Sequence, residues 1–149
     1  MKIIGLLIVV IVTLFIARLV FQNLSIPTHL GHKAGQLGAM PDKPNAVSSQ
    51  TNIVEKRVEP LQYKASYEET ISSVLATLNT MGNNELQAQE SHYLYSVFTT
   101  GVFHFHDDVE ILLDEQTKLV HFRSQSRAGH SDLGVNRKRY EQFKAIYNK

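Results

Sequence analysis

The chain has 149 residues, with 15 Lys and Arg against 14 Asp and Glu, and no cysteine. A net charge of +1 excludes a general nucleic-acid binder, which is basic overall or along one face. The missing thiol excludes cysteine catalysis, disulfides, cysteine-ligated zinc and a lipidated N-terminal cysteine.

After Met1 and Lys2 comes IIGLLIVVIVTLFIARLVF, an apolar run broken by one charge, Arg18. A helix needs about 20 mostly apolar residues to cross a bilayer core. Residues 1–21 are therefore expected to form a transmembrane anchor or signal-anchor. Arg18 sits near the end of the run, where its guanidinium can snorkel to the headgroups. The rival reading is a cleaved secretory signal, which wants small residues at its cleavage site. The run offers none, because Ala17 has Phe15 two positions before it. A buried core helix is disfavoured, since no polar face interrupts the run. Lys2 and the amino terminus favour an N-terminus inside, while Arg18 and Lys33 pull the other way. In a bacterium, N-terminus inside means a single-pass inner-membrane protein with a soluble domain in the periplasm.

Residues 22–43 are rich in turn-formers, among them Pro27, Gly31, Gly35, Gly38 and Pro41, and show no lasting apolar period. That composition reads as an extended linker. Residues 44–149 then form one α+β globular domain with a single core. Within it, Ser66 and Glu69 make a capping-box pattern. Tyr67, Ile71, Val74, Leu75, Leu78 and Met81 follow as one helical stripe that ends at Gly82. A second helix starts after Ser131 or Asp132 and carries the stripe Tyr140, Phe143, Ile146 and Tyr147. Between the helices, ELQAQE, HYLYSVFTT, VFHFHDDVEILLD and KLVHFRSQS read as strands, the last two joined through Asp114–Thr117. NIVEKRVEPLQY adds a strand before the first helix. This order predicts an antiparallel sheet with both helices packed on one face, leaving the other face wetter and open to function.

Charge is segregated within this domain. Residues 42–117 carry four Lys or Arg against twelve Asp or Glu, and residues 118–149 carry eight against two. The basic end is concentrated in RSQSRAGHSDLGVNRKR, so the two segments are expected to meet in space. Alternation places Arg123 and Arg127 on one side of their strand and Val120, Phe122, Ser124 and Ser126 on the other. Two uses of the cluster stand open. Cross-strand pairs with Asp107, Asp108 and Glu110 would make it a structural lock. Alternatively, Arg137, Lys138 and Arg139 lie in the first turn of the last helix, where the backbone dipole disfavours cations. Such a helix start is a natural site for a phosphate, a carboxylate or an anionic lipid headgroup.

HFHDD raises a metal question. On an extended strand His104, His106 and Asp108 share a side, and a His-x-His pair can hold zinc. The run resembles the His-x-His-x-Asp-His motif of metallo-β-lactamase-type hydrolases but lacks its last histidine, so no metal site is favoured. No nucleophile elbow, Ser-x-x-Lys box, Walker loop or dinucleotide fingerprint occurs, and no cofactor is expected.

PDKPNAVSSQ, DDVEILLD and FRSQSRAGHSDLGVNRKR, in that order, resemble the bacterial and plastid family catalogued as domain of unknown function 1499. The family's pattern runs Pro-Asn-Cys-Val-Ser-Ser, Asp-Asp-Val-Glu, then Arg-Ser-x-Ser-Arg-x-Gly-x-x-Asp-x-Gly-x-Asn-Arg. Asn45, Val47, Ser48, Ser49, Asp107, Asp108, Glu110, Arg123, Ser124, Ser126, Arg127, Asp132, Asn136 and Arg137 match it. Ala46 stands where the family usually has cysteine. The resemblance covers residues 37–149, implies a hydrophobic segment ahead of the domain, and carries no reaction with it. It implies that the PNAVSS turn, the DDVE strand and the arginine block form one polar site, to which Arg139 is added from its position. Ser48 and Ser49 would supply hydroxyls there and Asp132 would cap the last helix. The resulting expectation is a membrane-anchored envelope protein, a non-catalytic binding or structural module whose partners are the membrane and an anionic lipid or small anion. The alternative is a metal-dependent hydrolase using His104, His106 and Asp108.

Overall fold

The computed structural model describes residues 2–101 and 103–149. It opens with helix α1, Lys2–Leu24, none of whose residues is buried. At 1.5 Å per residue it is about 35 Å long, and it is apolar enough as well as long enough to cross a membrane.

Behind it lies a six-stranded antiparallel sheet. Its main path runs β3 (Ala46–Ser48), β8 (Leu119–Ser126), β7 (His106–Asp114), β6 (Tyr93–Thr99), β5 (Asn84–Gln89). Strand β4 (Leu61–Gln62) pairs with the start of β8, on the edge whose other end holds β3. Helices α2 (Tyr67–Met81) and α3 (Val135–Tyr147) cover one face. The fold is α+β, as the order of elements predicts. On that face Val74 and Leu78 of α2 meet Tyr140, Phe143 and Tyr147 of α3 over Leu94, Val109, Ile111, Val120 and Phe122. Ser66 caps α2 by accepting from the Glu69 backbone N–H at 3.1 Å, and Gly82 closes it at φ 62°.

Three expectations need correction. Residues 103–105 do not begin β7, and Val102, the first residue of the expected strand, lies outside the described residues: Gly101 and Phe103 lie in turns and His104 is left-handed at φ 50°. Strand β6 ends at Thr99, opposite His106, so residues before His106 have no strand to pair with. NIVEKRVEPLQY supplies, in place of one long strand, a single 3₁₀ turn, Val54–Lys56, an isolated parallel bridge from Arg57 to Ser48, and two-residue β4.

The third correction concerns residues 22–43 and the sheet's second face. The segment is packed, not an extended linker. It carries a small hairpin, β1 (His32–Lys33) with β2 (Gln36–Leu37), lying over the face opposite the helices. Leu37 joins Tyr93, Tyr95, Val97 and Leu112 in a second apolar cluster, flanked by Leu30 and Ala88. The face expected to be wet is therefore covered, and Asp108, Glu110 and Arg123 on it are fully buried.

Candidate functional site

Adjacent residues of a strand point to opposite faces, and this divides the expected polar site in two. Asp107 points toward the helices, while Asp108 and Glu110 point toward the β1–β2 segment. The residues expected to form one cluster make two networks, separated by the thickness of the sheet.

On the helix face, Asp107 accepts from Arg139 Nη2 at 2.5 Å. Arg139 Nη1 also donates to Asn136 Oδ1 at 2.6 Å and to Ser124 Oγ at 3.0 Å, and the guanidinium lies over the Phe98 ring at 4.9 Å. Asn136, fully buried, is the hub. Its Oδ1 accepts from Ser124 Oγ at 2.5 Å, and its amide donates to Asn45 O, Ser126 Oγ and Asp132 Oδ2 at 2.8–3.0 Å. Asn45 returns to β8 through Ser126 O at 3.2 Å. Asp132 Oδ2 also accepts from the Asn136 backbone N–H at 2.8 Å, and its Oδ1 from Gly134 N–H at 3.1 Å. Asp132 thus caps α3, but from outside the N-cap position, which Gly134 holds at φ 80°. The helix start expected to receive an external anion already holds the protein's own carboxylate. Arg137 pairs with no carboxylate among the described residues; its Nη2 donates to the carbonyls of Glu55 and Arg57 at 2.8 and 3.1 Å.

On the covered face, Arg123 Nη1 pairs with Glu110 Oε2 at 3.1 Å. Its Nη2 donates to Gln125 Oε1 at 2.6 Å and Ala39 O at 3.0 Å, whereas its Nε has no partner among the described residues. Glu110 Oε1 also accepts from Gly31 N–H at 2.6 Å and Tyr93 OH at 2.8 Å. His29 Nε2 meets Gln125 Oε1 at 2.9 Å. The β1–β2 segment is thereby tied down through its backbone, which explains its glycines. Gly31 is left-handed at φ 104°, and a Cβ on Gly38 would run into the His29 carbonyl and stand 2.8 Å from Arg123 Nη1.

Asp108 binds Arg127 through both oxygens, to Nη2 at 2.7 Å and Nε at 3.0–3.1 Å. Tyr95 OH donates to Asp108 Oδ1 at 2.6 Å and accepts from Arg127 Nη2 at 2.8 Å. Burial, then the bond to Asp108, pushes the Tyr95 phenol well up, and burial with Glu110's charge does the same at Tyr93. Both remain donors at any ordinary pH. Burial would lower the Arg127 guanidinium, but its bonds to Asp108 outweigh this and raise it. At Arg123 burial wins and the shift is downward despite Glu110.

Among the described residues neither Ser48 nor Ser49 hydrogen-bonds an arginine side chain, although Ser48 stands opposite Arg123 in the β3–β8 register. Ser48 Oγ accepts from Gln50 N–H at 3.1 Å. Ser49 Oγ accepts from Phe122 N–H at 3.0 Å and meets His121 Nδ1 at 3.2 Å. Both hold the chain after β3 against its neighbours. The histidines do not converge with Asp108. His104 is exposed in its turn, His106 Nδ1 lies 3.2 Å from Asn23 O, and both Asp108 oxygens are engaged by Arg127. Among the described residues no three His, Cys, Asp or Glu side chains group so as to hold a metal ion.

Two open grooves flank Arg127. One, of about 670 Å³, is lined by Leu24, Ile26, Glu85, His104 and His106 among others. The second, about 590 Å³, runs past Ser25, Pro27, Lys43 and Gln125. Of Arg127's own nitrogens Nη1 is the least engaged, with His106 Nδ1 at 3.5 Å. Sequence reasoning missed Tyr93, Tyr95, Gln125 and Asn23. The tyrosines had a signal, since the alternation in HYLYS matches that of Asp108 and Glu110 across the strand pair.

The ordered blocks carrying these networks decide the family. A model of a protein family of unknown function, DUF1499, matches residues 36–146. The chain belongs to that family. No curated protein and no solved structure matches it. The DUF1499 match begins at Gln36, the first residue of β2, so it takes in Leu37 and Gly38 over the covered face, the helix-face network and all of the covered-face network except His29 and Gly31.

Proposed function

We propose that this DUF1499 protein is a single-pass membrane protein whose α+β domain is a non-catalytic binding or structural module seated on the bilayer. The arginines lock the fold. One observation carries the reading: α1 runs into the domain without a free spacer. Asn23, in its last turn, donates from Nδ2 to His104 O at 3.0 Å and accepts the His106 N–H on Oδ1 at 2.7 Å. A residue so close to the apolar run is thus part of the domain's own hydrogen bonding, as suits an uncleaved anchor better than a removed signal. With Lys2 and the amino terminus inside, the domain occupies the far side of the membrane, the periplasm in a bacterium.

The lock is supported by pairing. Arg123, Arg127 and Arg139 each have a buried carboxylate within 3.1 Å. A second use, holding a small anion or headgroup, would fall to Arg127, the arginine that lines both grooves. The anchor is tested on the full chain expressed in cells. The protein is expected to resist alkaline extraction from membranes and to keep α1 in its intact mass. A soluble form that begins beyond residue 21 would overturn the reading.

A further inference from the structure

The loop between β6 and β7 exposes Phe103, which is 75 % accessible and lies 5.9 Å from the ring of half-buried Phe105. An exposed phenylalanine on a loop tip contributes nothing to the core and is costly in water. Its position gives it a use. The same loop is fastened to the end of α1, because Asn23 bonds His104 O and His106 N–H. Around that junction Phe21, Leu24 and Ile26 are 74, 67 and 66 % accessible, and Leu24 and Ile26 share a groove with Gly101 and His104. The apolar surface of the membrane-crossing helix therefore continues onto the domain through this loop.

We infer that the β6–β7 loop is a second membrane contact, with Phe103 seated in the headgroup–acyl boundary of the bilayer that α1 spans. Aromatic side chains favour that boundary. The occupant is the lipid itself, on continuity: α1 is about 35 Å long and a hydrocarbon core about 30 Å thick, so Asn23 and the loop it holds lie at the surface. Two attachments fix the domain's tilt, where one helix would leave it free to swing. The inference rests on the anchor reading of α1.

The chain has no tryptophan, so single reporters can be placed in the full-length protein reconstituted in vesicles. Phe103→Trp is expected to emit at shorter wavelength than tryptophan in water. It should lose most of its emission in lipids brominated near the headgroup end of the acyl chain, and less in lipids brominated near the terminal methyl. Phe15→Trp, in the middle of α1, should show the reverse preference. Quenching of Phe15→Trp without quenching of Phe103→Trp leaves the anchor standing and overturns the loop contact. If neither is quenched, α1 does not span the bilayer, and the loop contact fails with it.

Discussion

Arg123→Met is expected to lower the stability of the domain by about 3–5 kcal/mol, the cost of stranding a buried charge. Arg123 and Glu110 are both fully buried and paired at 3.1 Å. The substitution leaves the Glu110 carboxylate with only Gly31 N–H and Tyr93 OH, neither of which carries charge. It also removes the donor to Ala39 O, one of the ties on the β1–β2 segment. Pairing it with Glu110→Gln separates the causes. Glutamine keeps an acceptor for Gly31 and Tyr93 but no charge, so the double variant should regain about 1–3 kcal/mol relative to the sum of the singles. Denaturant unfolding of the four proteins measures both quantities. Wild-type stability in Arg123→Met would mean that the guanidinium is not part of the fold.

Arg139→Met should be comparably damaging, about 3–5 kcal/mol by the same reasoning, but on the other face. Here Asp107 loses its cation, while Ser124 Oγ and Asn136 Oδ1 each lose a donor. Because Asn136 joins Asn45, Ser126 and Asp132, the damage should spread to the start of α3. Hydrogen exchange is expected to accelerate across residues 135–140 and around Asn45, with the β1–β2 segment unaffected. Arg123→Met should give the opposite pattern. Identical exchange maps for the two variants would contradict the division of the site by the sheet.

Much of this was legible in the residues. Helix α2 announces itself through Ser66, Glu69 and its apolar stripe, and α3 through Tyr140, Phe143 and Tyr147. The charge segregation correctly brings DDVE to the arginines. What escaped was set by tertiary contacts. VFHFH alternates like a strand, yet β6 stops at Thr99 and gives residues 103–105 no strand to pair with; Phe105 bonds Thr100 instead. The β1–β2 segment has no apolar period because backbone groups hold it, Gly31 N–H on Glu110 and Ala39 O on Arg123. The division of the polar site was readable from alternation alone, since Asp107 and Asp108 are neighbours on one strand. The family's block order drew them together as a single site, and strand geometry separates them.

The central claim is that these guanidinium groups face inward, to the protein's own carboxylates. The direct test is the melting temperature of the full chain in neutral detergent as phosphate, sulfate or an anionic lipid is raised, with chloride at matched ionic strength as reference. A real anion site would stabilise by about 2.7 kcal/mol at a hundredfold excess over its dissociation constant. The account predicts curves that superpose on chloride for every anion. A saturable rise with phosphate or anionic lipid that disappears in Arg127→Lys would show an external anion among the arginines and contradict it.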